Sequence, residues 1–283
     1  MPQAAVEEAP SVLSALFSGS RSLLGGTRQQ GLKLGTSYFL PQGWFLFWKI
    51  LGAMYCISWC AVWSGQDIEL RIFLGTWTFL LGSCYFLLCT ISVLLCMAYI
   101  ARETPKEPLP GQPKPPPPPK SVRSPVPGIV RWIMHLCWVF TCIASLVGMS
   151  VFWIGIYDGI SAPSLDINVT VLSLVMLVDQ WLIETDYKVS FVSHGEYFFI
   201  VYIFFNVAYY YETTGDDRLT WEVFDWDEKP GKAVLYILFI LAFLVPSASM
   251  LHYSVYSMRE RMYTSYRLRA APPPPAEEPK PAE

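Results

Sequence analysis

Asp179 is the residue whose setting most demands a chemical explanation, because it stands inside the apolar run from Ile167 to Ile183. A carboxylate at membrane depth costs about 2.5 kcal/mol or more unless it faces protein or water. It therefore requires a partner, and its two natural roles are proton or ion transfer and a plain interhelical hydrogen bond. Gln180 and Glu184 follow it, so a position near the headgroups would also serve. His135, His194 and His252 fall near the ends of other apolar runs. The charge pattern puts all three on the same side of the membrane as Asp179, so the four are expected to converge on one polar cavity. Near helix ends, His135 and His252 read first as interfacial residues. The histidines have no H-x-x-x-H spacing and no cysteine cluster beside them, so neither a metal centre nor a bound cofactor is expected. All seven cysteines lie within apolar runs and read as small packing residues; Cys56 and Cys60 share one helix face in that role.

Two polar segments carry recognition chemistry of a different kind. Residues 212–232, ETTGDDRLTWEVFDWDEKPGK, hold seven acids against three bases, with aromatic rings between them. Asp216, Asp217, Trp221, Asp225 and Trp226 form an acidic and aromatic surface suited to an external partner, to a lid, or to the headgroup belt. Residues 103–128 contain eleven prolines, and Pro115-x-x-Pro118-x-Lys120 fits a PxxP ligand with a base at its end. Such a preformed polyproline helix suits the aromatic grooves of SH3, EVH1 or profilin-type partners, and equally serves as a stiff spacer.

The elements that must position these groups are set by composition. With 53% hydrophobic and 15% charged residues and a mean hydropathy of +0.35, much of this chain has lipid for a solvent. A net charge of -3 gives no reason to expect nucleic acid as a partner. Six apolar stretches approach the ~20 residues a helix needs to span a bilayer. They are 44–63, 72–100, 132–157, 167–183, 189–211 and 233–256. The fourth is short and the fifth opens with His194 and Glu196, which leaves a re-entrant pair as an alternative there. Pro246 is expected to kink the sixth. Alternate segments hold fourteen Lys and Arg on one side against four on the other, which places both termini in the cytoplasm. Lys49 and Arg131 sit at inner helix edges, where their stems are expected to snorkel. The fold class is therefore an all-α, polytopic membrane helix bundle, with segments at 1–43 (cytoplasmic), 44–100 (two helices), 101–128 (proline-rich linker), 129–256 (four helices) and 257–283 (proline-rich tail). Glu7 and Glu8 ahead of the first apolar residues argue against a secretory leader. The sequon Asn168-Val169-Thr170 lies at the mouth of a helix, too near the bilayer for ready glycosylation.

The order of several short motifs resembles the rolling stone family of multi-pass membrane proteins, relatives of the androgen-induced and fatty-acid-ester hydrolase group. The strongest stretch is Tyr202-Ile203-Phe204 to Tyr209, Gly215-Asp216, Val223-Phe224-Asp225-Trp226 and Lys229-Pro230-Gly231. Phe73 to Trp77 with Tyr85-Phe86, Val151-Phe152-Trp153, and Asn168 with Met176 to Asp179 extend it over residues 44–262. The resemblance implies a plasma-membrane or endomembrane protein acting in cell-surface contact, fusion or scaffolding, without catalysis. In the hydrolase relatives it implies a threonine on the second helix and a histidine on the fourth. Those positions read Gly75 and Leu165 here, leaving Thr76 one residue late, with Asp166 or His194 as its base. A one-residue shift turns a side chain by about 100°. Three functions are thus carried forward: a non-enzymatic contact or scaffold component, a lipid-ester hydrolase with an altered site, and a proton or small-solute transporter centred on Asp179.

Overall fold

The computed structural model describes residues 37, 39–64, 74–103, 126–151, 153, 164–212, 226 and 229–270. All described elements are helices: α1 (Gln42–Ser64), α2 (Leu74–Glu103), α3 (Gly128–Val151), α4 (Ser164–Leu182), α5 (Phe191–Glu212), α6 (Pro230–Phe239), a π-helical turn (Ile240–Leu244) and α7 (Val245–Ala270). The π turn joins α6 to α7 without a break, so they form one sixth rod. The chain is an all-α polytopic membrane bundle. Five rods are long and apolar enough to cross a membrane, while α4 has a shorter apolar stretch, Ile167–Leu182. Helices answer the physical demand of lipid, which leaves each backbone N–H and C=O to find a partner within its own segment.

Prolines punctuate the starts. Phe45 N–H donates to Pro41 O, Arg131 N–H donates to Pro127 O, and Pro230 occupies the first turn of α6. A proline there gives up an N–H that the helix would not use and presets φ. Pro246 lies inside the sixth rod, and its ring would meet the carbonyl four residues back. The rod answers with the π turn directly before it, closed by Val245 N–H on Ile240 O.

Successive helices α1 to α4 pack on one another in order, whereas α5 packs chiefly on α3 and α7. The centre is α3, with 67% of its apolar window buried against 22% for the sixth rod. Apolar side chains such as Trp44, Phe204 and Leu235 stay exposed, as the lipid-facing side of a bundle requires. Close approach is set by small residues. A Cβ at Gly52 would sit 2.5 Å from the Phe86 ring, and one at Gly195 2.8 Å from Ile143 Cδ1 and 3.0 Å from Val245 Cγ1.

Neither α4 nor α5 turns back within the bundle. Near its start α4 packs Val169 toward Gly148, late in α3, and near its end Gln180 meets His252. Near its start α5 packs Phe191 on His135, early in α3, and later places Tyr202 and Phe205 against Trp77, early in α2. Both therefore run the height of the bundle, which removes the re-entrant alternative. Residues 183–190 join them at the end assigned to the cytoplasm, where Ile183, Thr185 and Tyr187 are buried.

A candidate polar centre inside the bundle

Asp179 lies in the last turn of α4 and is fully buried. Trp48 Nε1 and Lys49 Nζ from α1 donate to its Oδ1 at 2.8 and 2.5 Å, and Tyr85 OH from α2 donates to its Oδ2 at 2.5 Å. Lys49 Nζ also donates to the Tyr85 oxygen at 2.7 Å. The phenol thus accepts from the ammonium and donates to the carboxylate, which closes a three-membered ring of bonds. The ammonium lies 4.9, 4.7 and 5.5 Å from the ring centres of Phe45, Tyr85 and Phe86, where a desolvated cation gains further attraction. Lys49 does not snorkel. Its side chain is fully buried because a carboxylate of opposite sign is within reach, and a paired interior position outweighs a stretched route to the headgroups.

Gln180 follows Asp179 and points about 100° around the helix. It therefore faces α7, where its Nε2 donates to the His252 carbonyl at 2.6 Å and its amide oxygen meets His252 Nδ1. The other ring nitrogen, Nε2, donates to the Cys142 carbonyl of α3 at 3.0 Å. Tyr187 stacks on the imidazole at 5.6 Å. Burial first, then the neighbouring Cys142, pushes the Tyr187 phenol up, so it stays neutral. Two consecutive residues of α4 thereby tie it to α1 and α2 on one side and to α3 and α7 on the other.

The end of α4 is capped from a distance. The last carbonyls of a helix have no partner of their own. Arg259 of α7, fully buried, donates to Gln180 O at 2.9 Å, to Ile183 O, and to Thr185 O at 3.0 Å, and it pairs with Glu260 at 2.8 Å. Ser37 Oγ donates to Leu182 O at 2.7 Å, and Ser37 forms an antiparallel bridge with Ile183.

The expected convergence of Asp179 with three histidines is corrected by this geometry. Asp179 bonds to Trp48, Lys49 and Tyr85 instead, because α1 and α2 flank that face of α4. His252 is next door, through Gln180. His135 and His194 belong to a separate aromatic cluster around Phe191, at 5.0 and 5.6 Å from its ring. His135 and His252 are both buried within the bundle.

At the opposite end, Thr76 lies half-buried in the first turn of α2. His194 is in the first turn of α5, some 12–16 Å along the helix from the Tyr202 and Phe205 rings that pack on Trp77. Thr76 and His194 are thus not brought together. The backbone of Asp166 enters α4 at the same end as Thr76, and its side chain lies outside the described residues. Asn168 is held by Tyr55 OH at 3.1 Å, and Thr170 by Trp153 Nε1 at 2.9 Å. Trp226 is half-buried against the core, with no hydrogen bond to its indole nitrogen among the described residues. Asp216, Asp217, Trp221 and Asp225, and the linker residues Pro115, Pro118 and Lys120, lie outside the described residues.

Trp48, Lys49, Tyr85 and Arg259 are the site residues that reading the sequence missed. A signal existed for the pair: Lys49 and Asp179 are opposite charges set in different apolar runs, and each needs what the other offers. No family model matches the chain, and no curated protein or solved structure matches it.

Proposed function

We propose that this chain is a non-enzymatic, rolling-stone-like membrane protein of the plasma membrane that holds an acidic, aromatic outer loop and cytoplasmic proline ligands on a rigid bundle. It acts in cell-surface contact, fusion or scaffolding. What carries this reading is the closure of the polar centre. Both oxygens of Asp179, the ammonium of Lys49 and both ring nitrogens of His252 are engaged in bonds between helices. Their chemistry is used to fix the bundle. The separation of Thr76 from His194 supports it, since a hydroxyl nucleophile needs a base within hydrogen-bond reach.

The test has two arms. Deleting residues 103–127 should abolish recovery of an SH3, EVH1 or profilin-type partner while the protein still inserts and folds; unchanged recovery refutes the scaffold reading. An acyl probe should label neither the native protein nor Thr76→Ala. Labelling that Thr76→Ala removes would establish the hydrolase, with Asp166 as the base left at that end. One observation favours a transporter as second reading: ionisable Asp179 and Lys49 lie within the membrane span beside Gln180 and His252. On that reading pH-driven flux into proteoliposomes exists and is lost in Asp179→Asn; absence of flux in the native protein removes it.

A further inference from the structure

The sixth rod is held firmly along its inner part only. That part, α7, packs on α3, α4 and α5. His252 and Arg259 are buried there and bond it to α3, to α4 and to the segment after α4. The outer part, α6, buries Ala233 alone and makes its main contact with the π turn that follows it. Tyr236 and Ile237 rest half-buried on the core, while Leu235 and Leu238 face outward. Exposure to lipid is not by itself looseness. α1 also turns much of its surface outward, yet Lys49 and Tyr55 bond it to α2 and α4. Among the described residues no side chain of α6 bonds to another helix.

Between the two parts the regular ladder of the rod is broken. Pro246 has no N–H for the carbonyl of Ala242, and the π turn over Ile240–Leu244 substitutes a longer reach, from Val245 N–H to Ile240 O. Prolines and π turns are the places where helices bend. At its other end α6 is entered from the outer loop, and one residue of that loop is seated. Trp226, four residues before Pro230, is half-buried against the core, and its indole N–H is out of solvent with no hydrogen-bond partner among the described residues. A seat made by packing alone, with a donor left unsatisfied, is one that the side chain can vacate.

We propose that α6 is a latched arm: it turns about the π turn and Pro246 within the outer leaflet, and Trp226 is the latch that holds it against the bundle. A tryptophan released from the core finds the headgroup level, where its ring stays in lipid and its N–H meets water. A change of about 20°, the size of a sharp kink, carries Gly231 by about 6 Å and Leu235 by about 4 Å, while Met250 beyond the turn stays in place. The arm carries the end of the outer loop, so its angle sets where that end stands. The inference rests on the packing of the sixth rod and on no functional reading.

The test is double electron–electron resonance on the full chain in lipid nanodiscs, with the exposed Cys84 and the half-buried Cys60 replaced by alanine. One spin label stands on Leu80, exposed on α2, which packs between α1 and α3. The second stands on Gly231, where added atoms meet open space, or on the exposed Leu235 or Met250. Relative to the native protein, Trp226→Ala should add a displaced population to the Gly231 pair, shifted by about 6 Å, and a smaller shift to the Leu235 pair, with the Met250 pair unchanged. Adding Pro246→Ala, which restores the missing N–H, should return the Gly231 pair to its native distance. No added population in Trp226→Ala overturns the latch. A shift confined to Gly231 means fraying of the first turn, and an equal shift at Met250 means that the whole rod moves; either overturns the arm. A displaced population that persists with Pro246→Ala overturns the hinge, and the Leu235 and Met250 pairs locate the turning point even where that double variant does not fold.

Discussion

The Lys49–Asp179 pair makes a quantitative prediction because its partners are unequal. Lys49→Met removes the one cation bonded to Asp179 among the described residues and leaves a fully buried carboxylate with two neutral donors, Trp48 and Tyr85. Breaking a buried pair in this way destabilises by about 3–5 kcal/mol. Asp179→Leu leaves the ammonium instead, which keeps the Tyr85 oxygen and three aromatic faces. Desolvated cation–π contacts contribute about 2 kcal/mol, so this loss should be smaller by roughly that amount. In the double variant no charge is left to be buried, and stability should return to within about 1 kcal/mol of the native protein or exceed it. The assay is reversible unfolding in mixed micelles, completing a double-mutant cycle whose coupling should reach about 3 kcal/mol. Additive losses would refute the reasoning, because they would mean that the two charges do not depend on each other.

Other perturbations test the packing around the centre. Arg259→Ala withdraws donors from three carbonyls at the end of α4 and should lower stability by about 3 kcal/mol, with faster amide exchange confined first to residues 183–190. Tyr85→Phe keeps the ring but opens the bond ring between Lys49 and Asp179; a loss of about 1–3 kcal/mol is expected in the same unfolding assay. Gly195→Val places carbon against Ile143 and Val245, where the backbones of α5, α3 and α7 meet, and should destabilise by about 1–3 kcal/mol; Gly43→Val, at a position with open space around it, should change stability far less.

How much of this was legible follows from what period and charge can report. Hydropathy marks where a helix crosses lipid, so five long rods and the shorter α4 stand where the apolar runs predict, with limits moved by up to six residues; the exception is the sixth rod, which runs on to Ala270, fourteen residues past the predicted limit and into the segment expected as tail. It cannot report which faces meet. Asp179 was recognisable as a group in need of a partner. Lys49, five residues past Trp44 and near the start of its run, has a ready route to the headgroups, so its position in sequence does not mark it as that partner. The choice between snorkelling and pairing depends on which helix lies opposite, and that is decided by packing: Gly52 admits Phe86 between α1 and α2, and the same approach delivers Tyr85 to Lys49. His135, His194 and His252 lie at one end of the bundle but not on Asp179, since side of membrane is encoded by charge while angular position around the bundle is not. Tyr85 and Arg259 gave no signal of their own. A tyrosine in an apolar run and an arginine past its end are ordinary until a carboxylate and an uncapped helix end face them.

The concentration of polar bonds on α4 has a cause in the solvent. In lipid, apolar contact between helices has little hydrophobic drive, and association rests on close packing and interhelical bonds. The apolar stretch of α4 would span about 24 Å, short of a ~30 Å core, so lipid alone fixes its height poorly. Asp179 fixes it against α1 and α2, Gln180 against α3 and α7, and Arg259 with Ser37 holds the carbonyls below. These bonds all lie within the last two turns and the segment that follows, so the outer half of α4 is positioned mainly by packing, by Tyr55 on Asn168 and by Trp153 on Thr170. Motion of α4, if function requires it, is therefore expected as a pivot about its cytoplasmic end. Spin labels at Val171 and Val178, both exposed on α4, would measure it, with the wider distance distribution at Val171. Equal widths at the two positions would place the anchor elsewhere.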